Sequence, residues 1–281
     1  MSEAPKRIEI PPFPGGKRIA VTTSWDDGRV YDRRVVEAMN QWGLKGTFNL
    51  NSGKLTRTGQ PAPADSTGHL DASEVATVFA GHEVAIHTLT HPHLPRLDAS
   101  QIANEVLEDR RNLEDLVGYP VRGMAYPFGT YNPQVIQVLR ALGIVYSRTV
   151  ENADACFPPA EPLAWASTAH HFAQHPTPVP ERWQAVYERA REGVVFFIWA
   201  HSYEFAPDKW EALERIYKPL SGKPDVWYCT NIQLFDYEDA RKRIVIAANR
   251  RSAYNPSGIP VTLRADDRLI DIAPGQTAPL L

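Results

Sequence analysis

Short runs of β-branched and aromatic residues alternate along the chain with longer stretches in which apolar residues recur every three or four positions. This alternation is typical of repeated strand–helix units. It predicts strands at 18–24, 46–51, 83–87, 123–126, 144–148, 163–167, 194–200 and 226–230. It predicts helices at 30–42, 72–80, 100–117, 133–142, 181–192, 208–220 and 237–248.

Seven or eight strands, each followed by a helix, predict an α/β protein with a closed or nearly closed parallel barrel. No glycine-rich phosphate-binding loop follows the first strand, which weakens a nucleotide-binding interpretation. The rhythm changes near residue 249, and 259–272 reads as two short strands around Asp266-Asp267. We therefore expect an N-terminal extension at 1–17, the barrel at 18–248 and a small β appendage packed on the barrel at 249–281.

Composition narrows the class of protein. The 281 residues are 43% hydrophobic and 22% charged, and 30 basic against 33 acidic side chains give a net charge of −3. These values are ordinary for a globular protein and argue against disorder. A chain without basic excess is a poor match for the phosphate backbone, so nucleic acid is not expected as the main partner.

No membrane partner is expected either. The longest uninterrupted apolar stretch, 194–200, is far shorter than the roughly 20 residues that span a bilayer. Charges and prolines stand where a signal peptide would place its apolar segment, so we expect a cytoplasmic protein. Two cysteines, Cys156 and Cys229, cannot form a disulfide framework, and we expect reduced thiols.

The first segment with candidate chemistry is Asp26-Asp27-Gly28, directly after an apolar strand. Adjacent side chains of a strand point to opposite faces, so both carboxylates share a site only if the chain changes direction there, which Gly28 permits. Such a pair can divide its work between binding a cation and acting as a general base. Taken alone, the segment is more often an ordinary helix cap and turn.

The second segment is His87-x-x-x-His91. If it were extended, the two histidines would lie about 13 Å apart and could not share an ion. We expect a helical turn that ends before Pro92 and places both imidazoles on one face, within reach of a single metal. Two imidazoles and one carboxylate form a common first shell for a catalytic divalent ion. A capping loop with incidental histidines is the alternative.

Two more strand ends carry candidate groups. The apolar strand 194–200 runs into His201, whose ordinary pKa suits a general acid, although an interface histidine is the alternative. The segment Tyr126-Pro127-Phe128-Gly129 predicts a sharp turn that can present backbone N–H groups to an oxyanion. All four segments fall where strands end, which is the rim on which barrel active sites assemble.

In order and context, these segments and Trp199-Ala200-His201 resemble the motifs of the polysaccharide deacetylase superfamily, also called NodB-homology or carbohydrate esterase family 4. The resemblance covers roughly residues 18–240. It implies a distorted (β/α) barrel that removes acetyl groups from N- or O-acetylated sugars with one divalent metal ion. Zinc is the first choice of ion, and cobalt, nickel and manganese stay open.

The resemblance also implies roles for individual residues. Asp27, His87 and His91 would be the metal ligands, and metal-bound water would attack the acetyl carbonyl with Asp26 as general base. Two further groups complete the assignment: the backbone N–H of Phe128 would contact the oxyanion and His201 would be the general acid. Tyr126 would line the same substrate pocket.

Two departures from the motifs concern the pocket. The family usually carries an arginine two residues before the motif proline, where this chain has Ala125, and we expect Arg148 to replace it, with Arg122 as the second candidate. Trp199 stands where a leucine usually lines the acetyl pocket.

The fourth motif is not clear, although Trp165 is a candidate for its residue. The nearby His170-His171 could approach the site, but we expect exposed loop histidines. No carboxylate partner for His201 is evident from the sequence.

Alternatives remain at this stage. Relatives of the same barrel hydrolyse C–N bonds of cyclic imides or ureides, a silent carbohydrate-binding barrel would lack turnover, and a phosphohydrolase is weakened by the lack of a basic cluster. If the protein is cytoplasmic, a small acetylated sugar, an oligosaccharide or a related amide is the expected substrate. The apolar β appendage could also pair with a second subunit, giving a homo-oligomer.

Overall fold

This computed structural model describes residues 4–63, 66–174 and 177–281. Its helices are α1 Asp32–Trp42, α2 Val75–Val78, α3 Ala99–Val117, α4 Pro133–Ala141, α5 Val179–Arg189, α6 Trp210–Tyr217 and α7 Asn231–Lys242. Its strands are β1 Ile8–Glu9, β2 Ile19–Asp26, β3 Gly46–Leu50, β4 Glu83–Ile86, β5 Gly123–Ala125, β6 Tyr146–Asn152, β7 Trp165–Ser167, β8 Ala169–His170, β9 Val194–His201, β10 Val226–Tyr228, β11 Val245–Ile246, β12 Ser252–Tyr254, β13 Val261–Ala265, β14 Arg268–Ile272 and β15 Thr277–Pro279.

The central sheet is parallel throughout and closes on itself. Its strand order is β7-β6-β5-β4-β3-β2-β9-β8, and only Thr168 separates β7 from β8 in the chain. This one segment therefore pairs with β6 through β7 and with β9 through β8, which closes the ring. β10 pairs with the first half of β2, and β3 pairs with its second half. The predicted distorted barrel of seven or eight strands is confirmed.

Barrel closure explains the burial pattern. All eight residues of β2 are buried, because one face points into the barrel and the other is covered by helices. The main core cluster packs Trp25 against Phe48 and Tyr217, with ring centroids 6.4 and 5.1 Å apart. Since every barrel strand is parallel, all their carboxyl ends meet at one rim. The candidate groups at the strand ends are thus brought to the same side of the molecule.

Two predicted helices differ from those observed. The predicted helix 237–248 is wrong in position, because α7 begins at Asn231, where Thr230 and Gln233 form a capping box that satisfies the first backbone N–H groups. The predicted helix 72–80 is broken. Asp71 caps a single 3₁₀ turn at Ala72–Glu74, and only Val75–Val78 continue as α-helix.

The C-terminal segment forms two small antiparallel sheets outside the barrel. β13 and β14 make the predicted hairpin around Asp266 and Asp267, and β1 adds to its edge. The other sheet has the order β11-β12-β15. The extension expected at 1–17 thus contributes a strand to the appendage, and its first three residues lie outside the described part of the chain. The division into domains stays a prediction.

Among the described residues, none of the helices is both long enough and apolar enough to span a lipid bilayer.

Candidate active site

A pocket of about 380 Å³ opens at the carboxyl ends of the barrel strands. Its lining contains eight of the nine residues selected from the sequence, and Arg148 lies just beneath it. The lining residues are Asp26, Asp27, His87, His91, Tyr126, Phe128, Gly129, Val150, Trp199, His201 and Tyr203. The barrel therefore assembles the predicted groups, which come from four strand ends, around one cavity.

The two adjacent carboxylates share this pocket because the chain turns sharply after β2. Asp27 has φ +83° and Gly28 has φ +65°, so the turn lies in both residues rather than in the glycine alone. The backbone N–H of Asp27 donates to the carbonyl of Asn49 at 3.0 Å, which holds the turn against β3. A left-handed non-glycine residue is strained and persists only where its surroundings impose it.

Asp26 is an ionised carboxylate, and each of its two oxygens has a partner. One oxygen accepts a 2.8 Å hydrogen bond from Asn49, and the other forms an ion pair with Arg148. Burial alone would raise the pKa of Asp26, but the positive charges of Arg148 and His201 outweigh it and lower the pKa to about 2. Nε2 of His201 lies 3.9 Å from the second oxygen. The carboxylate is therefore charged and oriented at the position expected of a base.

Asp27, His87 and His91 form a donor set that fits a divalent metal. Nε2 of His87 and of His91 lie 3.6 and 3.5 Å from one carboxylate oxygen of Asp27, and the three ligand atoms are all within 4.8 Å of one another. Nδ1 of His87 is 2.8 Å from the carbonyl of Ala125, so it carries the proton and Nε2 presents a lone pair. Burial lowers the pKa of both histidines, that of His91 to about 4, and keeps them neutral.

The expected helical turn at 87–91 is wrong. Thr88 and His91 have φ +67° and +66°, and the segment is an irregular loop. Three of its backbone N–H groups, those of His87, Leu89 and Thr90, find partners on α3. Glu105 accepts from Thr90 at 2.8 Å through its side chain, and Asp109 accepts from His87 at 3.1 Å. These acidic side chains, one helical turn apart, brace the loop that carries both imidazoles.

His201 has a carboxylate partner that the sequence did not reveal. Nδ1 of His201 lies 3.2 Å from Oε2 of Glu204, and its backbone N–H donates to the same oxygen at 2.9 Å. Burial by itself lowers the pKa of His201, but Glu204 and Asp26 outweigh it and raise the pKa above its ordinary value. The three-residue spacing from His201 to Glu204 is that of a capping box, and this was the signal available in the sequence.

His170 and His171 are not exposed loop residues, which corrects that expectation. His171 is 1% exposed, and Nε2 of each ring approaches Oε2 of Glu204, at 3.1 Å from His170 and 3.0 Å from His171. Both follow the bend that closes the barrel, so closure brings them beside β9. Trp165, the candidate for the fourth motif, packs in the core instead and donates from Nε1 to the carbonyl of Cys156.

Arg148 is buried and bound to Asp26, whereas Arg122 is not near this site. Arg148 pairs in register with Ala125, so its side chain enters from the strand next to the motif position. Its guanidinium also lies 4.6 Å from the centre of the Trp199 ring. Arg122 instead binds Asp236 on α7 through two hydrogen bonds of 2.9 and 2.7 Å. The geometry places Arg148 where a positioning arginine would act.

Three aromatic residues shape the pocket wall. Tyr126 is 1% exposed and donates from its hydroxyl to the carbonyl of Leu163 at 2.6 Å. Trp199 fills the position beside Arg148. Phe128 has φ +58°, and its ring, 54% exposed, stacks on His93 with centroids 4.0 Å apart. One aromatic ring is thus held open to solvent at the mouth, next to His91.

Part of the chain is similar to known proteins. The family model described as polysaccharide deacetylase matches residues 14–147. Over this stretch, which is slightly less than half of the chain, the sequence is similar to the polysaccharide deacetylases. Curated relatives include the peptidoglycan-N-acetylglucosamine deacetylase PgdA of two Listeria monocytogenes strains, each 27% identical over 138 residues. That match covers 47% of this chain and 27% of each relative, so the alignment reaches about a quarter of the relatives' length.

Solved structures share the deacetylase fold. A Mycobacterium smegmatis protein assigned to the polysaccharide deacetylases has a TM-score of 0.60 at 18% identity, covering 86% of this chain and 96% of that one. A family 4 acetyl xylan esterase from Clostridium thermocellum, in complex with cobalt, has a TM-score of 0.51 at 17% identity, covering 78% and 90%. His201 and Glu204 lie beyond the stretch that the family model matches.

Proposed function

We propose that this protein is a divalent-metal-dependent hydrolase that removes an N- or O-acetyl group from a sugar or oligosaccharide. The observation that carries the proposal is the placement of Asp27, His87 and His91 opposite Asp26 and His201 in one pocket. Similarity to the polysaccharide deacetylases supports the class of reaction, and the acetylated glycan named for the curated relatives supports the class of substrate.

Asp27, His87 and His91 would hold the ion, with zinc as the first choice for two imidazoles and one carboxylate. A bound divalent ion supplies Lewis acidity, which lowers the pKa of a coordinated water and polarises a carbonyl oxygen. The neutral imidazoles are already suited to this task, because burial keeps their Nε2 lone pairs unprotonated.

Asp26 and His201 divide the proton transfers. Asp26 is ionised and takes a proton from the attacking water, while Arg148 and Asn49 hold the carboxylate in place. His201 holds its proton through Glu204 and donates it from Nε2 to the departing amine or alcohol. The turn at Phe128 would offer its backbone N–H to the oxyanion.

The pocket mouth favours a sugar ring as the bound group. Phe128, Val150 and Tyr203 are 54%, 40% and 36% exposed, and all three line the opening. Apolar and aromatic surface left open beside polar catalytic groups is the usual makeup of a small-molecule site. Trp199 makes the wall bulkier than a leucine would, so we propose that the acyl group is no larger than acetyl.

The test measures acetate released from N- and O-acetylated oligosaccharides by metal-free and metal-loaded protein, beside a panel of cyclic imides and ureides. We expect acetate release that requires the divalent ion. His91→Ala should lose the ion that Asp27 and His87 also bind, and turnover with it. Ring opening without acetate release would favour the imide hydrolase, and a loaded protein that turns over neither class would favour a silent barrel. Equal metal content in wild type and His91→Ala would contradict the ligand assignment.

A further inference from the structure

A second cluster of candidate ligands surrounds Glu204, beside the pocket. Four nitrogens approach its Oε2 atom: the backbone N of His201 at 2.9 Å, His171 Nε2 at 3.0 Å, His170 Nε2 at 3.1 Å and His201 Nδ1 at 3.2 Å. A carboxylate oxygen offers two lone pairs. Four nitrogens around one oxygen exceed the two hydrogen bonds that its lone pairs can accept with good geometry.

His171 is the nitrogen donor that hydrogen bonding leaves out. Its side chain is fully buried, and neither ring nitrogen makes an aligned hydrogen bond to any described residue, although Nε2 is 3.0 Å from Glu204. A buried polar group without a partner is costly, so such a group calls for an explanation. A cation between the imidazole and the carboxylate would satisfy both.

We propose that His170, His171 and Glu204 form a second site for a divalent transition metal, separate from Asp27, His87 and His91. The three ligand atoms lie within 4.8 Å of one another. Nitrogen–oxygen separations of 3.0 and 3.1 Å are close to those that ligand bonds of about 2.1 Å produce around one ion. His170 and Glu204 have side chains 24% and 23% exposed, which gives the ion a path from solvent.

Occupation of this site has a defined proton balance. Coordination through Nε2 of His170 needs the ring proton on Nδ1, which ends the long 3.4 Å contact from the backbone N–H of Phe172. Neutral His171 can coordinate without leaving any hydrogen bond. Oε2 of Glu204 is the carboxylate oxygen that both imidazoles approach, and it would be the third ligand atom.

The site would also regulate the acid of the pocket. A metal ion bound to Oε2 of Glu204 competes with Nδ1 of His201 for the same oxygen. The second ion would then take from His201 the oxygen that orients its ring. This consequence rests on the proposed function, whereas the binding site itself does not.

The binding test uses the full chain, freed of metal by a chelator and titrated with Co²⁺, with bound ion counted by equilibrium dialysis. Wild type should bind two equivalents. His170→Gln, a change at a partly exposed side chain, should bind one, and the double variant Asp27→Asn/His91→Ala should also bind one. Addition of His170→Gln to that double variant should abolish binding.

A wild type that binds one equivalent and a double variant that binds none would overturn the second site. His82→Gln, which removes a buried histidine outside both clusters, is the matched control and should still bind two. If His170→Gln misfolds, Co²⁺ should still raise the Tm of Asp27→Asn/His91→Ala and fail to raise that of the same variant with Glu204→Gln; equal shifts would overturn the site.

An activity assay separates this inference from the proposed function. Acetate release by wild type should rise with the first equivalent and fall at least several-fold with the second, and the fall should be absent in His170→Gln. Two bound equivalents in the dialysis experiment, with no turnover of any substrate at one equivalent or at two, would uphold the second site and refute the proposed function. Full activity with both equivalents bound would refute the regulatory role alone.

Discussion

The two ends of the barrel each bury a carboxylate, and they stabilise it in different ways. At the carboxyl end, Asp26 is 3% exposed, pairs with Arg148 and faces a pocket. At the amino end, Glu83 is 5% exposed and accepts hydrogen bonds of 2.8, 2.8 and 2.9 Å from the Tyr146 hydroxyl, the Thr47 hydroxyl and the backbone N–H of Ile232.

The different hydrogen-bond and ion-pair partners of Asp26 and Glu83 decide whether each carboxyl group is ionised. Burial raises the pKa of Glu83 to about 7, since its neutral donors only partly oppose desolvation. At Asp26, the positive charges of Arg148 and His201 overcome the effect of burial and lower the pKa to about 2. Both carboxyl groups have strongly shifted pKa values, but Asp26 lines the pocket, whereas Glu83 is enclosed by its hydrogen-bond donors. A perturbed pKa indicates chemistry only where the group can touch a substrate.

The largest contrast should appear when each carboxylate is made neutral. Asp26→Asn should lower kcat by about 10³-fold, because the amide cannot take a proton from water. Glu83→Gln should leave kcat within a fewfold of wild type. Acetate release and metal content measure the difference. An Asp26→Asn variant that keeps its metal and retains a tenth or more of the activity would refute the base assignment.

Removal of the Arg148 guanidinium, the positive charge beside Asp26, should mainly destabilise the fold. Arg148→Ala leaves a buried charge without its partner and should cost about 3–5 kcal/mol in free energy of unfolding, with loss of turnover in the protein that stays folded. Arg122→Ala is the matched control. It breaks a pair whose side chains are 38% and 35% exposed and should cost about 1 kcal/mol or less. Equal costs in urea unfolding, or normal turnover by Arg148→Ala, would remove Arg148 from its positioning role.

Glu83, at the amino end of the barrel, should make the free energy of unfolding depend on pH. Glu83 has an ordinary pKa of 4.5 when unfolded and about 7 when folded, so the folded state holds the proton more tightly. The stability this adds is complete below pH 4.5 and is lost as the pH rises through 7, by about 3 kcal/mol. Urea unfolding between pH 4.5 and 8 should show this loss in wild type relative to Glu83→Gln.

The control for that measurement is Glu214→Gln, which removes an exposed carboxylate on α6. Its unfolding free energy should run parallel to that of wild type across the same pH range. A Glu83→Gln curve that also runs parallel to wild type would show that Glu83 does not hold the extra proton.

The smallest effect is expected from Glu204, which we propose acts through His201 rather than on the substrate. With one equivalent of metal bound, Glu204→Gln should lower kcat by about 10–100-fold and leave KM nearly unchanged. Glu204→Asp should recover part of the loss. A loss confined to stability, with normal kcat in the folded fraction, would make Glu204 a structural residue.

The parts of the site that the sequence reveals are those carried by strand ends. Asp26, His87 and His201 follow apolar runs directly, and the barrel rule then places them at one rim. The helical turn at 87–91 was wrong because its backbone donors are satisfied by Glu105 and Asp109 of α3. Local spacing contains no information about a helix that lies beside the loop.

Glu204 and Arg148 both have partners that lie far from them in the sequence. Glu204 is three residues from His201, but the sequence alone did not identify it as the partner of that histidine. Barrel closure also brings the imidazole of His171 beside its carboxylate. Arg148 was expected to replace the arginine absent at Ala125, and the strand register brings it to Asp26 across 122 residues of chain. The roles of both residues stay predictions that the variants above test.

The order of strands and helices and the residues at strand ends follow from the sequence alone, because hydrophobic periodicity is local and parallel strands share one rim. The tertiary structure decides which of these groups are charged, held or free. Ion pairs, hydrogen bonds and burial depend on residues that are distant in the chain. Their balance lowers the pKa of Asp26, which lines the pocket, and raises the pKa of Glu83, which is buried at the other end of the barrel.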